Sequence, residues 1–169
     1  MRLGLIADSH DRLPAVRALL AEFRARGVEL ILHAGDFCAP FTLEPFVSNA
    51  TPTVGVFGRN DGDREALMAA AARGLAVELY ESPHSITVGT DSILLVHDIG
   101  EVPERSLSGH SYVVHGCIHR TEMKKRGDST YICPGEACGW VYGTPSAAVL
   151  DLDTKDVEFI TLSGPEWTT

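Results

Sequence analysis

Short apolar runs at residues 2–7, 29–34 and 53–57 dominate the hydrophobic pattern in the first half of this chain. Each run is rich in aliphatic side chains and stops at a segment that contains polar residues or glycine. Runs of this length and composition predict buried β-strands.

The segments between these runs have helical spacing. Asp11 is the predicted N-cap of the first helix, and Gly27 marks its end. Two further helices are predicted over residues 42–48 and 63–73, so the first half predicts a βαβαβ unit. Four apolar side chains at i, i+3, i+4 and i+7 form one face of the first helix: Val16, Leu19, Leu20 and Phe23.

The second half of the chain changes to short strand-like runs. Gly127-Asp128 and Asp153-Thr154-Lys155 lie between such runs and predict hairpin turns. Two packed sheets with helices outside would bury all the strands, so the sequence predicts an α/β (α+β) protein. No repeat or linker is evident, and residues 1–169 are predicted to form a single domain. The predicted strands occupy residues 76–80, 84–88, 92–97, 111–115, 122–126, 129–133, 146–152 and 156–162.

Composition limits the partners and the compartment. The formal net charge of −9 argues against broad binding to nucleic acid, which needs a basic surface. A small phosphorylated substrate remains compatible, because bound cations reverse the local charge. The sequence shows neither a signal peptide nor an apolar run near the ~20 residues of a membrane span, so we expect a cytoplasmic protein without a membrane partner. Its four cysteines form no CxxC pair and are expected to be reduced.

Polar side chains follow the predicted strands directly. Asp8-Ser9-His10 follows the first strand, Gly35-Asp36 the second and Gly58-Arg59-Asn60-Asp61 the third. His97 ends a later strand, and His115-Gly116-Cys117-Ile118-His119 follows another. Ligands bind at this strand edge in open α/β sheets, and Asp and His side chains that converge there suit Mn²⁺, Fe²⁺ or Zn²⁺. The pattern therefore predicts a divalent metal site.

The order of these motifs resembles that of the calcineurin-like metallophosphoesterases, and most of all their small bacterial and archaeal phosphodiesterases. The family motifs are Asp-x-His, Gly-Asp, Gly-Asn-x-Asp, His and Gly-His-x-His, and Pro134-Gly135-Glu136 extends the match towards the end of the chain. The resemblance implies a four-layer αββα sandwich of two mixed β-sheets flanked by helices. It also implies a two-metal centre that hydrolyses phosphate esters.

The resemblance assigns a role to each matching position. Asp8, His10 and His119 would hold the first metal ion, and Asp36 would bridge the two ions. His97 would hold the second ion, together with an asparagine and the first histidine of Gly-His-x-His.

Two positions of the second metal set depart from the family pattern. Aligned without a gap, Arg59 stands at the asparagine position and Cys117 at the first histidine of Gly-His-x-His. Arginine cannot ligate a cation, but its planar fork can clamp a phosphate with two hydrogen bonds. Alternatively, a backbone shift of one residue brings Asn60 into the ligand position and turns Arg59 outward. A Cys117 thiolate would favour Zn²⁺ over Mn²⁺.

Asp36, Asn60 and Arg59 are the candidate catalytic residues. Arg59 as a phosphate clamp predicts one tightly bound metal ion per chain, whereas ligation by Asn60 and Cys117 predicts two. Asn60 also stands where the family often carries a general-acid histidine. An amide does not titrate near neutrality, so we expect substrates with good leaving groups to be favoured.

Other histidines and cysteines have simpler interpretations. His33 and His115 lie in apolar strands and are predicted to be buried, hydrogen-bonded side chains. Cys38, Cys133 and Cys138 are predicted to be small buried thiols.

The sequence thus predicts a metal-dependent phosphoesterase, in the first place a phosphodiesterase, acting on a small phosphodiester or phosphomonoester. Mn²⁺ is the first expectation for the metal, with Zn²⁺, Fe²⁺ or Ni²⁺ as alternatives. The altered ligands also fit a second hypothesis, a weakly active or inactive scaffold protein of this fold, as the retromer scaffolding subunit is. A structural zinc domain that uses Cys117, Cys133 and Cys138 is a third. A homo-oligomer is compatible with the sequence.

Overall fold

The computed structural model describes residues 1–74, 76–164 and 167. Within these residues, no helix is both long and apolar enough to cross a membrane. Two 3₁₀ turns, Pro40–Leu43 and Ile99–Glu101, accompany the regular elements. The strands and helices follow in chain order as β1 Arg2–Ile6, α1 Leu13–Ala25, β2 Leu30–His33, α2 Glu44–Asn49, β3 Thr53–Val56, α3 Arg64–Ala71, β4 Val77–Tyr80, β5 His84–Val88, β6 Asp91–Val96, α4 Glu104–Leu107, β7 Tyr112–His115, β8 Thr121–Arg126, β9 Ser129–Pro134, β10 Ser146–Asp151 and β11 Val157–Thr161.

The strands form two mixed sheets. The first has the order β11-β10-β1-β2-β3-β4, and its strands β1 to β4 run parallel. The second has the order β5-β6-β7-β9-β8, with β6, β7 and β9 parallel. Parallel neighbours end at the same edge of a sheet, so the loops after β1, β2 and β3 lie together, as do those after β6, β7 and β9.

Side chains along β1 alternate between two cores. Leu3 and Leu5 pack into the core between the sheets, where Ile93 of the second sheet also lies. Ile6 points the other way and packs with Phe23 of α1. Burial of both faces explains why this strand is an almost continuous apolar run rather than an alternating one.

A third apolar cluster completes the layers. Leu107 of α4 packs with Val96 and Val113 on the outer face of the second sheet. The order is therefore helices, sheet, sheet, helix, and the predicted αββα sandwich is confirmed. Its fourth layer is thin, because α4 has only 4 residues.

The predicted strands are all present, with ends that differ from the predictions by at most one residue. Two predictions were wrong in detail. The 42–48 helix is preceded by a 3₁₀ turn, and the N-cap of α1 is Arg12 rather than Asp11. The Asp11 carboxylate instead accepts hydrogen bonds from Ala39 N–H at 2.8 Å and from the Thr42 hydroxyl at 2.6 Å, which ties two loops together. The α4 segment was not predicted.

Candidate metal centre

The loops at the strand ends carry a concentration of left-handed backbone. Among the described residues other than glycine, nine have positive φ, and seven of these lie in the loops after β1, β2 and β7. Such a conformation costs on the order of 1 kcal/mol or more per residue and persists where surrounding contacts enforce it. Here Asp8 N–H donates to Gly35 O at 3.0 Å and His10 N–H to Asp36 O at 3.1 Å. The seven are Asp8, His10, Asp11, Asp36, Cys38, Cys117 and His119.

The predicted ligands converge between the edges of the two sheets. They form two groups, Asp8 with Asp36 and His97, and His10 with His119 and Cys138; within each group the ligand atoms lie within 4.8 Å of one another. The carboxylates of Asp36 and Asp8 connect the two ligand groups. Nε2 of His10 lies 3.4 Å from Asp36 Oδ2, and Nε2 of His119 lies 3.7 Å from Asp8 Oδ1.

Hydrogen bonds fix the tautomers of two of these histidines. Nδ1 of His97 lies 2.8 Å from the carbonyl oxygen of Ala34, and Nδ1 of His119 lies 2.9 Å from a carboxylate oxygen of Glu136. Both partners are acceptors, so each Nδ1 carries the proton. Each Nε2 therefore keeps its lone pair, which is the arrangement that a metal-binding histidine requires.

Several buried polar atoms in this space have no hydrogen-bond partner among the described residues. They are Oδ1 of Asp8, Nε2 of His10 and Nε2 of His97. An unpaired buried polar atom costs about 1–3 kcal/mol. Burial also raises the pKa of Asp8 to about 7, because the carboxylate is desolvated. Divalent cations would supply the missing partners for these three atoms, so the residues fit the metals that the resemblance implies.

Backbone amides and a glycine hold Asp36 in place. The buried carboxylate of Asp61 accepts hydrogen bonds from the N–H groups of Asp36, Cys38 and Gly58 at 3.1, 2.7 and 2.6 Å. A Cβ on Gly58 would lie 2.5 Å from Asp36 N and closer still to its carboxylate. Gly58 therefore provides room for the Asp36 side chain, and Asp61 joins the loops after β2 and β3.

Asn60 and Arg59 point in different directions. Asn60 donates to both Asp36 oxygens, from its backbone at 2.8 Å and from its side-chain amide at 2.7 Å. The Arg59 guanidinium instead pairs with Asp98 at 2.5 Å and with Glu101 at 2.7 Å, and half of its side chain is exposed. Asn60 is thus the residue of this loop that reaches the ligand cluster.

Cys117 is held beside the cluster by its backbone. Its N–H donates to Asp8 Oδ2 at 3.1 Å, while its Sγ lies 3.6 Å from Asp98. Burial raises the pKa of this thiol to about 11. Among the described residues, Cys117 belongs to neither ligand group, and Cys117, Cys133 and Cys138 form no group of their own. The structure thus contradicts the hypothesis of a zinc domain built on these three cysteines.

Glu136, for which the sequence predicted no role, lies at the centre of a hydrogen-bond network. It is buried, and its carboxylate accepts from His119 Nδ1 and from the backbone of Val141 and Tyr142. Burial would raise the pKa of Glu136, but these hydrogen bonds outweigh it and hold the pKa below its usual value. The Pro134-Gly135-Glu136 motif was the available signal, but it did not reveal which side chain the carboxylate would meet.

The predicted burial of the remaining histidines and cysteines is confirmed for some residues and wrong for Cys38. His33 is buried and bonds to Ser9 Oγ and Gly35 N–H, which supports the loops after β1 and β2, and His115 is buried as well. Cys138 is buried as predicted, but its Sγ is close enough to His10 and His119 to count among the ligand atoms. Cys38 is only partly buried, contrary to prediction, with its Sγ 3.3 Å from His10 Nδ1.

Comparison with known proteins identifies the protein family of this chain. Residues 1–155 match the calcineurin-like phosphoesterase superfamily domain, and the chain belongs to this family. Its members use divalent metals.

Individual relatives support the assignment. The phosphodiesterase MJ0936 of Methanocaldococcus jannaschii is 27% identical over 165 residues, which cover 96% of this chain and 99% of that protein. A solved archaeal phosphodiesterase has a TM-score of 0.86 at 27% identity and covers 96% of this chain and 100% of its own. Vps29 of Chaetomium thermophilum shares the fold, with a TM-score of 0.68 at 18% identity over 96% of this chain and 97% of its own.

Proposed function

We propose that this protein is a divalent-metal-dependent phosphodiesterase. The observation that carries the proposal is the convergence of Asp8 Oδ1, His10 Nε2 and His97 Nε2, buried and without partners among the described residues, in a chain of this family. Three buried ligand atoms left unpaired are costly in a structural site and are accounted for by bound cations.

The two ligand groups suggest how the ions are held. Asp8, His10 and His119 are the proposed ligands of the first ion, because Asp8 Oδ1 lies 4.0 Å from His10 Nε2 and 3.7 Å from His119 Nε2. His97 is the proposed ligand of the second ion. Asp36 would be shared by both ions, because its Oδ2 lies 3.4 Å from His10 Nε2 and 3.5 Å from His97 Nε2. Divalent cations held there would supply Lewis-acid activation of a water molecule and would neutralise charge on the phosphate. Mn²⁺ is the proposed metal.

Asn60 is the proposed further ligand of the second ion, and Arg59 is not a ligand. Asn60 Nδ2 faces Asp36 Oδ2 at 2.7 Å, and a rotation of the amide by half a turn would turn its oxygen towards a cation held by Asp36. Arg59 is occupied by Asp98 and Glu101, whose charges it balances at the edge of the site. With Asn60 as ligand, the second site is retained and we expect two ions per chain.

The proposed reaction is hydrolysis. Water adds to phosphorus, the bond from phosphorus to the leaving alcohol breaks, and the products are a phosphomonoester and an alcohol. Asn60 is assigned as a metal ligand, and the carboxylate of the next residue, Asp61, accepts three backbone hydrogen bonds. Neither side chain is placed to protonate the leaving alcohol, so we expect the alcohol to depart largely as its anion. Phosphodiesters of acidic alcohols are therefore the favoured substrates.

A partner-binding scaffold is the competing role. A scaffold that has lost its chemistry is expected to present an apolar patch away from the metal centre. Ile118 lies beside the metal centre, between Cys117 and His119. The other exposed large apolar side chains outside the Trp140 segment are spread along the described chain: Met1, Phe41 in a 3₁₀ turn, Met68 on α3, Met123 on β8 and Phe159 on β11. Another exposed group, Trp140, Val141 and Tyr142, contacts the metal centre itself through Glu136 and His10. This distribution favours the enzyme.

The test is metal add-back. Purified protein is stripped with chelator, and hydrolysis of bis(p-nitrophenyl) phosphate is followed while Mn²⁺ is titrated. We expect saturable, Mn²⁺-dependent release of p-nitrophenol, which Asp8→Asn reduces at least about 100-fold, since loss of metal catalysis is worth several kcal/mol. Asp128→Asn, in an exposed hairpin turn, is the matched control and retains full activity. Activity equal to that of Asp8→Asn with each of Mn²⁺, Zn²⁺, Fe²⁺ and Ni²⁺ would refute the proposal.

A further inference from the structure

Two aromatic side chains and two arginines form a rim beside the first ligand group. We call Arg12, Arg120, Trp140 and Tyr142 the aromatic rim. The guanidinium of Arg12 lies 4.1 Å from the ring centroid of Trp140, and that of Arg120 lies 4.7 Å from Tyr142. The rings are nevertheless largely open to solvent, with Trp140 61% and Tyr142 48% exposed.

The rim is built onto the residues that position the metal ligands. The indole N–H of Trp140 donates to the backbone oxygen of His10 at 3.3 Å. Tyr142 N–H donates at 2.6 Å to Glu136, the same carboxylate that accepts from His119. The positions of these aromatic residues are therefore fixed relative to the two histidines of the first ligand group.

One of the two arginines, Arg12, is anchored in the same way. Nη1 of Arg12 donates to the Cys138 carbonyl oxygen at 2.6 Å, and Arg120 follows His119 directly in the chain. In a protein of net charge −9, two guanidinium groups at the edge of a carboxylate-rich centre give an approaching phosphate a local positive field. The rim thus offers flat apolar faces and positive charge together.

We propose that the aromatic rim binds a flat aromatic group, of the kind found in nucleobases, on the substrate. This inference rests on the proposed phosphodiesterase function and gives it a substrate class, small nucleoside phosphodiesters rather than alkyl diesters. Stacking of a base on an aromatic side chain tolerates any base and contributes about 1–3 kcal/mol. The negative net charge explains why the substrate is a small diester rather than a long nucleic acid.

Two esters with one leaving group test the inference. Thymidine 5′-(p-nitrophenyl) phosphate and methyl p-nitrophenyl phosphate both release p-nitrophenol and differ only in the group that remains on phosphorus. The measured quantity is the ratio of kcat/KM for the thymidine ester to that for the methyl ester, with Mn²⁺ present. We expect a ratio of about 10 or more in the wild type, within the range that one stacked base contributes.

Variants connect the ratio to the rim. Trp140→Ala is expected to lower the ratio about tenfold, and Trp140→Phe, which keeps a flat ring, to restore most of it. Met123→Ala removes an equally exposed apolar side chain on β8 and is expected to leave the ratio unchanged. A ratio near one in the wild type, or the same ratio in Trp140→Ala as in the wild type, would overturn the inference.

A binding measurement separates this inference from the proposed function. If neither ester is hydrolysed, the phosphodiesterase proposal fails, and calorimetric titration with thymidine 5′-monophosphate tests the rim alone. Binding at least about 5-fold weaker in Trp140→Ala than in the wild type supports the rim. Equal binding, or none in either protein, contradicts it.

Discussion

Asn60 donates two hydrogen bonds to the carboxylate of Asp36, one from its backbone N–H at 2.8 Å and one from its side-chain amide at 2.7 Å. The neighbouring Arg59 has no contact of this kind and pairs with Asp98 and Glu101 instead. The loop after β3 therefore presents an amide, and not a guanidinium, to the centre of the site. This difference leads to the first prediction.

Asn60→Ala is expected to lower the content of bound Mn²⁺ and to reduce kcat at least about tenfold, because the second ion loses a ligand. Arg59→Ala is expected to leave the metal content unchanged and KM within about threefold, because exposed ion pairs contribute little. Metal analysis and steady-state kinetics on both variants check this. The reverse pattern would mean that Arg59 clamps the phosphate. In that case KM rises strongly in Arg59→Ala, while Asn60→Ala keeps the metal content and kcat of the wild type.

Gly58→Ala is expected to disrupt the site, because the added methyl group would overlap Asp36 and force the loops apart. We expect a loss of about 1–3 kcal/mol in the free energy of unfolding, together with weaker metal binding. Gly62→Ala is the matched control in the same loop, since a Cβ there meets nothing within 4 Å. Denaturant unfolding and Mn²⁺ titration compare the two. Similar behaviour of both variants would contradict the packing described for Gly58.

Glu136→Gln tests the positioning of His119. The amide keeps the shape of the side chain but loses the charge that orients Nδ1, so we expect affinity for Mn²⁺ to fall about 10–100-fold. Glu65→Gln, at an exposed position on α3, serves as control. Calorimetric metal titration gives the affinity, and circular dichroism reports whether the variant is folded. Unchanged affinity in a folded variant would show that Glu136 only holds the loop.

Leaving-group acidity is expected to dominate the rate. Without a general acid from the loop after β3, the p-nitrophenyl diester should be hydrolysed more than about 100-fold faster than the phenyl diester, since general acid catalysis contributes about 10²–10⁴-fold where it is present. A series of aryl methyl phosphates gives the slope of log kcat/KM against the pKa of the leaving phenol. A shallow slope would show that another residue protonates the leaving group as a general acid.

Much of the fold follows from local patterns, because most strands are buried on at least one face; β8, which is exposed along almost its whole length, is an exception. The run Leu3-Gly4-Leu5-Ile6 predicted β1, and the structure buries its two faces in different cores. The α4 segment was missed because its four residues are too short for a helical period to appear. The prediction that Asp11 caps α1 was wrong, because its carboxylate instead accepts hydrogen bonds from Ala39 N–H and the Thr42 hydroxyl, which are distant in sequence.

The candidate site was predictable as a set of residues but not as a network. Asp8, His10, Asp36, His97 and His119 all follow strands, so topology brings them to the adjoining edges of the two sheets. The choice between Arg59 and Asn60 depends on the backbone of one loop, which no periodicity encodes. Glu136 was missed because its partner His119 lies 17 positions away on another loop.

Substitution of Asp36 tests the central claim most directly, because this carboxylate contacts both ligand groups. Wild-type protein and Asp36→Asn are loaded with Mn²⁺, and bound metal and hydrolysis of bis(p-nitrophenyl) phosphate are measured on the same samples. We expect two ions per chain in the wild type, loss of at least one in Asp36→Asn, and a fall in kcat of at least about 100-fold. A folded Asp36→Asn protein that keeps both its metal and its activity would contradict the account.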